Sequence, residues 1–179
     1  MEKSEYKEFA ALALSYFHAA DALSGAQSKR GRCLFRPTLF VLGQGLELML
    51  KGCMLLNNKP IIRKGSKGHE LRRLWNDDAS AEIRDRYLIN AEVARCEAAD
   101  TGFYKAVPKT MNDKLATNML FSLIDFHGEG IARYPVPEIK GSPRKGPRTA
   151  WLSKSLFYTA HDFYARTEDF RRPTTGRYS

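Results

Sequence analysis

Cysteine is scarce in this 179-residue sequence: it occurs three times, at Cys33, Cys53 and Cys96, and never as Cys-x-x-Cys. An odd count without paired spacing speaks against a disulfide framework and against a cysteine-built zinc site. It fits a reducing cytosol. Histidine is also sparse, and none of His18, His69, His127 and His161 stands at metal-ligand spacing from another. Asp125-x-His127 is too thin a cluster for a metal site. No P-loop, Gly-x-Gly-x-x-Gly or Gly-x-Ser-x-Gly pattern occurs, so neither a cofactor nor a metal is expected. The start, Met1-Glu2-Lys3-Ser4-Glu5, is polar and does not read as a secretory leader. No long apolar run is free of charge. The longest, Thr38–Leu56, contains Gln44, Glu47 and Lys51. Charges are costly at a bilayer centre, so a buried core helix is the better account and a cytoplasmic protein is expected.

Acid is short relative to base: 20 Asp and Glu against 29 Lys and Arg, a net +9. The distribution says more than the sum. Residues 29–36, 59–73 and 133–148 carry +4, +5 and +4, which leaves the remainder of the chain at −4. Clustered positive charge focuses field on anions such as phosphates. The plainer account is a solvated surface with cations at helix C-termini, and at this level both remain open.

What is present is helical periodicity. Residues 4–24 read as an amphipathic helix capped by Ser4, with Phe9, Leu12, Tyr16, Ala20 and Leu23 on its inner face and Gly25 as its end. Residues 25–33 read as a basic connection. Residues 37–57 form the central helix, with Pro37 at its first position and apolar residues nearly all round. Gly45 and Gly52 share one face and permit close helix approach. Glu47 and Lys51 are an i,i+4 pair in the favoured order. A short helix at 70–76 turns Leu71, Leu74 and Trp75 inward. Helices follow at 79–99, from Asn112 or Asp113 to Phe126, and from Thr149 to Phe170. Between the last two, eight of the 21 residues from 128 to 148 are Gly or Pro, which marks a long loop. No strand of convincing period is visible. The expectation is an all-α compact bundle of five to six helices in one domain, residues 1–170, followed by a loose basic tail, 171–179.

Two short motifs sit in this framework. Gly68-His69-Glu70-Leu71 follows the central helix with its Glu47-Leu48-Met49-Leu50-Lys51, and Arg133-Tyr134-Pro135 precedes the last helix. In that order they resemble the HEPN superfamily over residues 4–170. The resemblance implies a compact, usually dimeric helical bundle of the kind found in bacterial toxin–antitoxin and phage-defence systems. Many members are metal-independent endoribonucleases. Their signature is an Arg, four to six residues, then a His near the last helix, where the His moves the 2′-hydroxyl proton and the Arg holds the phosphate.

This sequence departs from that signature. Arg148 is followed by no histidine until His161, mid-helix, and the one matching spacing is Arg63-x5-His69 in the loop before the short helix. The preferred expectation is a non-catalytic HEPN-like homodimer that binds RNA or nucleotide through Lys64, Lys67, Arg133, Arg144, Lys145 and Arg148. Arg148 also stands where the last helix begins, and a helix N-terminus favours anions. The alternatives are a ribonuclease using Arg63 and His69 as its catalytic pair, and a dimeric scaffold or partner-binding protein.

Overall fold

Helix α2 (Phe35–Leu56) sets the architecture, because it is apolar on several sides and needs neighbours on each. In the computed structural model, which describes residues 5–30, 34–62, 70–100, 109, 112–128 and 149–172, those neighbours are helices. Helix α1 (Glu5–Arg30) and helix α6 (Thr149–Ala165) cover one side. Helix α3 (Leu71–Asn76) and helix α5 (Asp113–Gly128) cover another, and helix α4 (Ala81–Asp100) packs on α6 and α5. Short 3-10 turns at Asp78–Ser80 and Thr167–Phe170 complete the order. The described residues form an all-α bundle without strands. By length and hydropathy Phe35–Leu56 would suffice to cross a membrane, but 72% of its most apolar stretch is buried inside the bundle. It is the core helix.

Close approach, rather than side-chain size, decides which face of α1 turns inward. The buried residues are Tyr6, Ala10, Ala13, Phe17, Ala20 and Ser24. This face is offset from the expected stripe, and Leu12 of that stripe is 49% exposed. Gly45 and Gly52 of α2 leave room for Phe17 and Phe9 of α1, and Ala10, Ala13 and Ala20 are buried along the same side. A Cβ on Gly45 would stand 3.0 Å from the Phe17 ring, and one on Gly52 would stand 3.0 Å from Phe9 Cβ. The fit of Phe17 and Phe9 against those glycines outweighs the burial of one more leucine, worth about 1.5–3 kcal/mol.

Several boundaries differ from the expected ones. Helix α1 runs through Gly25 to Arg30, so residues 25–30 are helix rather than connection. A single interior glycine costs about 1 kcal/mol, too little to end a helix that is otherwise supported. Pro37 is the third residue of α2, not the first. It still lies in the first turn, where its missing N–H leaves no intrahelical bond unmade. Helix α6 ends at Ala165 because Arg166 leaves helical geometry (φ −132°, ψ 48°). The following turn folds Phe170 back onto Phe163, with ring centroids 5.1 Å apart.

Asn57 closes the bundle where α2 ends. Its amide donates to the carbonyls of Cys53 (3.0 Å), Ala79 (3.4 Å) and Phe170 (3.1 Å), and its Oδ1 accepts from the Arg172 N–H (2.7 Å). Arg171 donates to the Leu56 carbonyl (2.9 Å) and pairs with Glu168 (2.7 Å), whose carboxylate also accepts from Tyr6 Oη (3.1 Å). The first two residues of the expected loose tail are therefore pinned, and residues 173–179 lie outside the described residues. Cys53 is buried and its thiol donates to the Ala79 carbonyl (3.1 Å). Burial pushes that thiol up to about 12, so it behaves as a small apolar group.

Candidate nucleic-acid interface

The question is where the three basic segments leave the bundle. Helices α1 and α6 run antiparallel: Tyr6 meets Glu168 at one end, and Lys154 Nζ lies 3.1 Å from Asp21 Oδ2 toward the other. Helix α2 folds back along α1, so that Phe17 faces Gly45 and Phe9 faces Gly52. The C-terminus of α1 and the N-termini of α2 and α6 therefore share one end. Phe35, the first residue of α2, lies edge-on to Phe126 with centroids 6.5 Å apart, which brings in the last turn of α5. In that turn Asp125 accepts from Arg72 of α3 (2.6 Å), and the Arg72 guanidinium lies 4.3 Å over the Phe121 ring. Residues 34–36, residues 70–73 and the junctions at 128 and 150 thus lie toward the same end, whereas segment 59–73 begins at the opposite one, where Lys59 follows α2 and pairs with Asp77.

The expected site residues themselves stand differently. Arg63, Lys64, Lys67 and His69 fall outside the described residues, as do Arg133, Arg144, Lys145 and Arg148. Within 59–73, the described cations are already engaged with carboxylates. Lys59 pairs with Asp77 (3.0 Å), Arg72 with Asp125 (2.6 Å) and Arg73 with Glu70 (3.6 Å). Much of that segment's charge is therefore matched within the fold, and anion binding there would fall to Arg63, Lys64 and Lys67. Asp77 has a second task, since its Oδ1 also caps the Ala79 N–H (2.9 Å). Burial pushes the Asp77 carboxyl up, but the bonds from Ala79 and Lys59 more than offset this and hold it below the usual carboxylate range.

Sequence reasoning missed a polar cluster beside this end. His127, read as a helix stop, is the buried penultimate residue of α5. Its Nε2 stands 3.9 Å from Glu47 Oε2 and 3.5 Å from Gln44 Nε2. Glu47 in turn accepts from Lys51 Nζ (2.8 Å), and the side chains of that pair are 6% and 7% exposed. The imidazole lies flat against Gly43, where a Cβ would be 2.2 Å from Nδ1. The one sequence signal for this contact was Gly43 inside an otherwise well-formed helix. Buried to this degree, His127 cannot reach a substrate. It fixes the last turn of α5, from which the third basic segment departs. Among the described residues no group of three His, Cys, Asp or Glu side chains is placed to hold a metal ion.

Comparisons with protein-family models, with curated proteins and with solved structures return no match for this chain.

Proposed function

We propose that this chain is a non-catalytic HEPN-like module that binds RNA or a nucleotide through basic segments presented at one end of its helical bundle. It acts as a homodimer in the bacterial cytoplasm, in a toxin–antitoxin or phage-defence setting. The observation that carries the reading is that the residues flanking segments 29–36 and 133–148, together with the α3 side of segment 59–73, lie toward one end. Segments 29–36 and 133–148, each +4, and Arg63, Lys64 and Lys67 of segment 59–73, whose other cations pair within the fold, adjoin that end along the chain, which is the condition for their fields to add on a polyanion. The departure from the Arg-x4–6-His signature near α6 supports binding over cleavage.

The test is salt-dependent binding of single-stranded RNA by the purified chain. Affinity falls as salt rises, because each neutralised phosphate releases counterions. Replacing Arg144, Lys145 and Arg148 together by Gln lowers the slope of log affinity against log salt by about two to three. Absence of binding to RNA and nucleotides at low ionic strength would refute the reading. Cleavage of RNA in the presence of chelator, lost in His69→Ala, would replace it with the ribonuclease.

A further inference from the structure

Helix α1 carries a second apolar stripe that the bundle does not bury. Its inner face is Tyr6, Ala10, Ala13, Phe17, Ala20 and Ser24. Beside that face stand Phe9, Leu12, Tyr16, Ala19, Leu23 and Ala26, spaced by alternating threes and fours. Such alternation repeats every seven residues and is the a/d pattern of a two-helix coiled-coil seam. None of the six is buried. Phe9, Tyr16, Leu23 and Ala26 are half-buried, Ala19 is exposed, and Leu12 is 49% exposed. Apolar residues scattered singly over a surface are ordinary, whereas this stripe is continuous for ~26 Å of helix.

The stripe fits an antiparallel copy of itself. A two-fold axis centred between residues 17 and 18 sets Phe9 against the partner subunit's Ala26, Leu12 against the partner subunit's Leu23, and Tyr16 against the partner subunit's Ala19. Each contact occurs twice, as an isologous interface requires. The two rings meet alanines and leucine meets leucine, so facing positions interdigitate without overfilling a layer. Charge selects the same direction. The first turn of α1 holds Glu5 and Glu8, and its sequence ends in Lys29 and Arg30. In the antiparallel register, position 5 meets position 30 and position 8 lies beside position 29, so the acidic turn of each copy adjoins the basic turn of the other. A parallel pair would set acidic turn on acidic turn and basic on basic, which is unfavourable.

We propose that α1 pairs antiparallel, through this stripe, with α1 of a second copy of the chain. The proposal rests on the reading above for the homodimer alone and supplies its interface. RNA binding has no part in the argument. Because α1 finishes where segment 29–36 begins, the two basic segments at 29–36 then leave the dimer at opposite extremes, as two separate surfaces.

The test is sedimentation equilibrium of the full chain across the micromolar range. Wild type should sediment as a dimer. Leu12→Glu and Ala19→Glu, both at exposed positions, should each raise the dimer dissociation constant about a hundredfold, with circular dichroism unchanged. Glu8→Lys should raise it about tenfold. Adding Lys29→Glu to Glu8→Lys should restore the wild-type constant, because the antiparallel register places those two positions side by side. A monomeric wild type overturns the proposal, as does a dimer indifferent to both glutamate substitutions or a charge swap that does not rescue. Salt-dependent RNA binding, measured on the same samples, separates the two readings. A dimer broken by Leu12→Glu that binds no RNA keeps the interface and removes the RNA reading, and a wild-type monomer that binds RNA does the reverse.

Discussion

The two ends of the bundle are built on opposite plans. At one, where α2 finishes, side chains bond to backbone: Asn57 holds three carbonyls and one N–H, and Arg171 holds the Leu56 carbonyl. At the other, among the described residues, the rings of Phe35 and Phe126 are in contact, ion pairs join Arg72 to Asp125 and Lys154 to Asp21, and the connections to the basic segments begin. The first end closes the fold through geometrically specific bonds from side chains to backbone. The second leaves connecting segments to carry charge, which is the usual division between scaffold and binding surface.

The largest effects are expected where both ends depend on α2. Lys51→Met strands a buried Glu47 carboxylate and should cost about 3–5 kcal/mol in denaturant unfolding, most of it recovered in Lys51→Met/Glu47→Leu. Gly43→Ala drives a methyl into the His127 ring and should cost about 1–3 kcal/mol. Adding His127→Ala should recover part of that, and a double-mutant cycle showing simple additivity would deny the contact.

The clasped end can be cut selectively. Asn57→Ala removes the amide from several carbonyls and should cost about 1–3 kcal/mol. Hydrogen exchange should rise around residues 167–172 while the start of α2 keeps its protection. Asp77→Ala loses a cap and should cost about 1 kcal/mol. The cap also gives the clasped end an acid dependence. The Asp77 and Glu168 carboxyls are both held below their ordinary values. For Glu168 the main cause is the bond from Arg171, then that from Tyr6. Their stabilisation is complete above the unfolded carboxylate range, about pH 4, and is lost as pH falls through the depressed native values. Asp77→Asn should reduce that acid-side slope. The smallest effect belongs to the basic end. Arg72→Gln breaks a half-exposed ion pair with Asp125 and should cost about 0–1 kcal/mol. Faster exchange confined to α3 and the last turn of α5 would mark its local role.

Much of the fold was legible in the sequence, for identifiable reasons. The apolar circumference of residues 37–57 announced a core helix. Asn112 caps α5 as read, accepting from the Leu115 N–H at 2.8 Å. Glu47 and Lys51 pair as their spacing implied. The inner face of α1 was misread because periodicity alone does not show which ridge meets the room left by Gly45 and Gly52, where Phe17 and Phe9 seat. His127 was misread because a histidine before a glycine looks like a helix end. Only the crossing of α5 over Gly43 makes it a core residue. Asn57 reads locally as a stop, and nothing near it in sequence announces partners at Ala79, Phe170 and Arg172. The basic segments were legible as charge. Their candidate residues, from Arg63 to Arg148, lie outside the described residues, so the structure bears on them only through their flanks.

The sequence by itself determined that this is an all-α chain, that its central helix is buried, and that its positive charge is gathered in three segments. These follow from local properties: hydrophobic period, capping residues and composition. Only the tertiary structure decided that the residues bounding segments 29–36 and 133–148 meet at one end, that a histidine and an ion pair share the core beside it, and that rings from α1 and α6 meet in one seam. Such relations join residues far apart in the chain, and the packing of helices sets them.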